Sequence, residues 1–195
     1  MSINNQLVAQ LRKSIGKGSA RDLRRNSMIP AIIYGGESPP LPIALSYKEI
    51  SMRIRKGSFL TTILNIKVNE VKYDVLPKNF QLDKVYDFII HLDLLRVSKK
   101  SIVTVDIPIS FENDQICLGI KRGGILNIIR HTIEVQCHAN AIPELFRVDL
   151  TPFDLGDSVK VSAIKFPTHI VSTIVDKDDT IATISMPIKA LSDGE

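Results

Sequence analysis

The chain has 195 residues, 44% of them apolar, and 25 Lys/Arg against 21 Asp/Glu for a formal net charge of +4. That apolar content supports a real core and excludes a disordered chain, and the length suits one large domain or two small ones. The N-terminus MSINNQLVAQ lacks the basic-then-apolar pattern of a signal peptide, and no apolar run reaches the ~18–20 residues of a membrane span. The two cysteines, Cys117 and Cys137, are too few for a disulfide framework and too sparse for a four-ligand zinc site. A soluble cytoplasmic protein with reduced thiols is expected, with no membrane association. Charge is unevenly spread. Residues 1–96 carry 15 basic and 8 acidic side chains (+7), whereas residues 97–195 carry 10 and 13 (−3). Two domains follow from this, only the first suited to a polyanion.

In chain order, residues 5–12 alternate Leu7, Ala9 and Leu11 on one face and predict a strand. Gly16-Lys17-Gly18 breaks it, and its glycines let backbone N–H groups approach phosphate. Ser19-Ala20-Arg21-Asp22 is a helix-start signal for a short helix to about Asn26. Arg21, Arg24 and Arg25, three and four apart, share one face of it. Pro30 forces extended geometry on Ile29, and a strand follows at 31–34. Residues 43–45 form a short strand, and Ser46-Tyr47-Lys48-Glu49 is a capping box for a helix to about Lys56 with Gly57 as its stop. Residues 59–68 and 71–80 predict a hairpin across Asn69-Glu70, and 85–97 a long strand. The first domain, 1–97, is thus expected to be a small barrel or curled sheet of about six strands with two short helices.

Ser98-Lys99-Lys100-Ser101 reads as a polar joint. Beyond it the pattern is strand-like at 102–111, 125–137, 145–151, 158–164, 169–175 and 180–188, with turn signals between. It predicts an antiparallel sheet or sandwich over 98–190, a short helix near Pro143-Glu144, and a loose tail at 191–195.

The densest functional signal is the cluster of Arg12, Lys13, Lys17, Arg21, Arg24 and Arg25 against one acid, +5 over fourteen residues. A solvated face is the bland reading; beside a glycine pair and Tyr34, a phosphate-backbone contact is preferred. Tyr34 is either a core tyrosine or a group for an RNA sugar-phosphate edge. His91 and Asp93, two apart on a strand, share one face and can present a donor–acceptor pair to bases. They can also be read as a catalytic dyad, but no Ser or Cys stands in a nucleophile setting. The Gly16–Ser19 run lacks the earlier glycine of a phosphate-binding loop. His131, Cys137 and His138 lack a fourth ligand. No enzyme activity, metal or cofactor is expected.

The motif RKSIGKGSARDLRR followed by IPAIIYGG resembles the bacterial ribosomal protein L-twenty-five family, which binds 5S ribosomal RNA in the large subunit. The likeness continues through Pro42 to Ser46, Gln81 and His91-Leu92-Asp93. The stretch GGILNIIRHTIEVQC, with IPE and LGDSVKVS after it, resembles the extra domain of the long form, the general stress protein CTC type. The resemblance implies a mainly β protein with an N-terminal six-stranded β-barrel, short helices and a C-terminal antiparallel β-domain. It implies Arg12 as a strand arginine at the RNA, Lys17, Arg21 and Arg24 as phosphate contacts, and Tyr34, Gln81, His91 and Asp93 as recognition residues in the minor groove. Arg25 joins the set through the shared helix face. The chain departs from the family at Leu82-Asp83-Lys84, where Arg-His-Pro is usual, and at Asp22. The implied partners are 5S ribosomal RNA and neighbouring large-subunit ribosomal proteins, with the chain a monomer within the cytoplasmic ribosome. The alternative is a stress-associated interaction protein whose acidic second domain binds another protein, RNA docking being secondary.

Overall fold

Strands β1 (Gln6–Leu11), β2 (Met28–Tyr34), β3 (Leu41–Ser46), β4 (Leu64–Val68), β5 (Val71–Leu82) and β6 (Ile89–Arg96) close into a barrel in the order β1-β3-β2-β6-β5-β4. The computed structural model describes residues 6–98, 101–167, 170–173 and 178–186. Alternation drives the closure. Leu7 and Ala9 on β1, Ile29, Ala31 and Ile33 on β2, and Leu64, Ile66 and Val68 on β4 are all buried, and each fully buried Leu or Ile contributes about 1.5–3 kcal/mol. Closure also leaves no unpaired sheet edge for another chain to add to. The strand β2 runs antiparallel to β3 (Ile33↔Leu41, Met28↔Ser46) and parallel to β6 (Ala31↔Leu92, Tyr34↔Leu95). The hairpin β4–β5 turns at Asn69, whose φ of 55° is a conformation asparagine tolerates. The β5–β6 ladder shifts register at Pro77/Asn79 and at Gln81/Leu82.

Three local expectations are corrected. The first helix, α1 (Lys17–Arg25), starts two residues before Ser19. Gly16 takes φ 135°, ψ 178°, a conformation open essentially to glycine alone, so the chain turns into the helix there and Ser19 Oγ donates to Ser14 O instead. The second helix, α2 (Tyr47–Ile54), begins after Ser46 without the side-chain bonds of a capping box; the Tyr47 amide donates to Ser27 O at 3.0 Å. Residues 59–62 form a turn rather than strand, because the Thr61 and Thr62 hydroxyls both donate to Ser58 O and seat Phe59 in the barrel core.

The chain divides into two compact units, 1–105 with 137–144 and 106–136 with 145–195. The remaining strands are β7 (Ile102–Glu112), β8 (Ile125–Ile128), β9 (Thr132–His138), β10 (Phe146–Asp149), β11 (Ser158–Lys160), β12 (Val171–Ser172) and β13 (Thr180–Ser185). They form a sheet in the order β10-β7-β9-β12 and another in the order β11-β13-β8. The β11/β13, β8/β13 and β9/β12 pairs are antiparallel, but β7 and β10 pair in parallel. Those two are not chain neighbours: a one-turn helix α3 (Leu118–Lys121), β8 and β9 intervene, which is what a parallel pair requires. The expected strand 125–137 is broken at 129–131, since the Ile129 and Arg130 amides converge on Ile181 O. The expected helix near Pro143 is a 3-10 turn at Ala139–Ala141. Residues 169, 174–177 and 187–195 of the predicted strands and tail lie outside the described residues. Cys117 and Cys137 are both buried and unpaired.

Candidate RNA interface

Helix α1 displays the basic cluster. Lys17 in its first turn and Arg21 and Arg25 further along are exposed. No side chain caps its N-terminus, so the first-turn amides and the positive end of the helix dipole are open to an anion. Asp22 lies 3.6 Å from Arg25 with both side chains largely in water, an ion pair worth little. The helix packs on β2: Pro30 and Ala44, paired across β2 and β3 on the outward face, are nevertheless buried.

Arg24 is turned differently from its neighbours. Its Nε and Nη2 donate to Ile90 O at 3.1 and 3.0 Å, which ties the end of α1 to β6 one residue before His91. Two of its donor groups thus hold the helix to the barrel, while the side chain stays exposed. Arg12, just past β1, donates its amide to Pro42 O at 3.1 Å. Its Nε is buried without an acceptor, and among the described residues only Arg96 Nε shares that state.

The second part of the site is a polar strip on the outside of β5, β6 and β2. Leu92 and Leu94 point inward and His91 and Asp93 outward, each about a third exposed. His91 lies across from Gln81, and Asp93 sits between Asn79 on β5 and Ile32 on β2. Three strands at ~4.8 Å spacing make the strip roughly 10 Å wide. His91 Nδ1 is 3.0 Å from Asp93 Oδ1, which fixes both side chains and leaves Nε2 and the second carboxylate oxygen for a ligand. Tyr34 is half-buried on the same outward face. Burial, and then the Asp93 charge, push its hydroxyl above the ordinary value, so it stays a protonated donor. The strip and α1 adjoin through the Arg24 bonds to Ile90.

Two contributors escaped the sequence reading. Asn79 is exposed opposite Asp93; the register shift beside Pro77 hid its alignment. Arg96 Nη1 donates to Gly35 O (3.0 Å) and Ser38 O (2.7 Å), Nη2 donates to Pro39 O (2.7 Å), and the guanidinium lies 5.8 Å from the Tyr73 ring centroid. It clamps the loop that follows Tyr34. Gly35 itself is required there: its φ is 93°, and a Cβ would lie 2.7 Å from Leu95 Cδ1.

Among the described residues no three His, Cys, Asp or Glu side chains gather to hold a metal. No helix in them is long and apolar enough to cross a membrane.

Comparison with known proteins agrees with this architecture. Residues 7–94 match the model of the "Ribosomal L25p family", and residues 102–188 match "Ribosomal protein TL5, C-terminal domain". The chain is 53% identical over 194 residues to the large ribosomal subunit protein bL25 of a Chelativorans species, covering 100% of this chain and 92% of that one. It is 54% identical over 187 residues to the protein of that name from Brucella anthropi, and 52% identical over 187 residues to that from Bartonella quintana, covering 96% of this chain and 90% of each relative. Over nearly its whole length, therefore, the chain belongs to the bL25 family of large-subunit ribosomal proteins, in the form that carries the TL5-type C-terminal domain.

Proposed function

We propose that this chain is a structural component of the large ribosomal subunit that binds 5S ribosomal RNA. Residues 1–97 form the RNA-binding domain and residues 98–190 a second β-domain, with neighbouring ribosomal proteins as further partners and the chain a monomer in the cytoplasmic ribosome. Arg12, Lys17, Arg21 and Arg25, with the open N-terminus of α1, neutralise backbone phosphates. Tyr34, Gln81, His91 and Asp93 read the wide, shallow minor groove of A-form RNA, where base edges and 2′-hydroxyls are accessible. The observation that carries this reading is the junction of the two parts: Arg24 on Ile90 O sets the basic helix beside the polar strip, so one duplex can meet both. A stress-associated interaction protein is the less favoured reading, since the relatives carry ribosomal names over 90% or more of their length.

The two parts are separable by experiment. In salt titrations against a 5S RNA fragment containing loop E, Arg21→Ala lowers the log K versus log salt slope by about 0.9, one phosphate contact. Asp93→Ala leaves the slope intact and reduces discrimination against an unrelated duplex by about 1–3 kcal/mol. If Asp93→Ala changes neither quantity, the strip does not read the RNA.

A further inference from the structure

Between α1 and the segment that leads into β6 lies a pocket of about 350 Å³, lined in part by Arg24, Met28, Tyr47, Asp83 and Phe88. The sequence reading assigned it nothing, yet it opens beside the basic helix. One wall is aromatic. The rings of Tyr47 and Phe88 meet edge-on at 6.1 Å, and Tyr86 stacks on Phe88 at 5.9 Å and 27°. Phe88 is 55% exposed and Tyr86 71%, a large apolar area for a loop that nothing among the described residues covers.

The loop is built to stay in place. The Val85 and Tyr86 amides both donate to Asp83 Oδ1 at 2.9 and 3.1 Å, Asp83 N donates to Phe88 O at 2.7 Å, and Asp87 N donates to Asp83 O. These backbone bonds lower the Asp83 pKa, so its carboxylate is ionised at neutral pH and purely an acceptor. With Oδ1 occupied by the turn, Oδ2 remains for another donor. A carboxylate at this place repels phosphate, so the pocket is not an extension of the cationic cluster. Aromatic rings, a carboxylate acceptor and the Arg24 guanidinium are instead the components that hold a base.

We propose that this pocket seats one unstacked nucleobase of the bound RNA, its ring against Tyr47 and Phe88 and an exocyclic amine donating to Asp83 Oδ2. The occupant follows from the charge beside the pocket. The exposed Arg21 and Arg25 on α1 bring a polyanion to its rim, and a nucleobase is the flat, uncharged part a polyanion of this kind offers. The proposal rests on the RNA-binding reading above.

The test uses the full chain and a 5S RNA loop-E fragment in which 2-aminopurine replaces, one at a time, the purines in and beside the internal loop. The expected result is a fluorescence change on binding at one position, absent with Phe88→Ala. Affinity for the fragment falls about tenfold for Phe88→Ala, the scale of one lost base stack, with the salt slope unchanged. Asp83→Asn keeps an oxygen to cap the turn and removes the acceptor. It is expected to weaken fragment binding several-fold and to leave a fully paired duplex unaffected, and it carries the test if Phe88→Ala fails to fold. If the fragment binds but no position responds and Asp83→Asn binds as wild type, the pocket proposal is overturned while RNA binding stands, and the aromatic loop becomes a protein-facing surface. If the fragment does not bind at all, both readings fall.

Discussion

Arg96 lies away from the polar strip and yet organises one end of it. Three main-chain carbonyls of the loop after Tyr34 accept from its two terminal nitrogens, so a single side chain replaces the ladder bonds that the turn cannot make. Hydrogen bonds to a charged donor are worth more than neutral ones, and the part-buried Gly35 carbonyl costs free energy if left unpaired. Arg96→Ala is expected to destabilise the chain by about 2–3 kcal/mol in denaturant unfolding, and Arg96→Lys by less, since an ammonium cannot reproduce the planar fork. A second residue makes a pH prediction. Asp149 accepts from the Thr151 hydroxyl, the Asn113 amide and the Thr151 backbone, and these bonds hold its carboxyl down at about 2 against an ordinary 3.8. A depressed folded-state value means that the stabilisation is complete above the ordinary carboxylate range and is lost as pH falls through about 2. Carboxyl chemical shifts followed by NMR should titrate at that low midpoint, and Asn113→Ala should move the midpoint upward.

At the scale of elements, α1 is where local chemistry and function meet. Its start depends on Gly16 in a conformation that side chains rarely adopt. Gly16→Ala is therefore expected to cost about 1–3 kcal/mol of stability and, by shifting the first turn, to weaken RNA binding together with the salt slope. Arg24→Ala differs from Arg21→Ala in the same assay. It loosens the helix from β6 and so lowers thermal stability as well as affinity, whereas Arg21→Ala affects affinity alone. These distinctions mark what the sequence carries. The strands were legible because each buries alternate residues, as with Leu7 and Ala9 or Leu64, Ile66 and Val68. The shared face of Arg21, Arg24 and Arg25 was legible from helical spacing. The turn of Arg24 toward β6 was not, because its acceptor, Ile90 O, lies 66 residues away. The early end of β8 was hidden for the same reason: it is set by Ile181 O, across the sheet. Caps written in the sequence at Ser19 and Ser46 gave way to bonds with Ser14 O and Ser27 O, so α2 opens where expected by other means and α1 opens earlier, at Gly16.

For the molecule as a whole, residues 7–94, which hold the closed barrel, and residues 102–188 match the two family models, and members of this ribosomal family are structural proteins rather than enzymes. Under the proposed function, the rigidity of the barrel presets the interface. Strand pairing fixes Gln81, His91, Asp93 and Tyr34 relative to one another without help from a ligand, so binding need not order them and little conformational entropy opposes it. The charge split, +7 over residues 1–96 against −3 over residues 97–195, fits the proposed placement of the RNA on the first half. The most direct test of the account is the affinity of the full chain for a 5S RNA loop-E fragment and for an unrelated duplex of equal length, each titrated in salt. A built interface predicts tighter binding to the fragment at every salt concentration, with a steep negative slope that grows with the number of phosphate contacts. Equal affinity for the two RNAs would contradict it, reducing the cluster at residues 12–25 to a general basic patch and the strip on β5, β6 and β2 to ordinary surface.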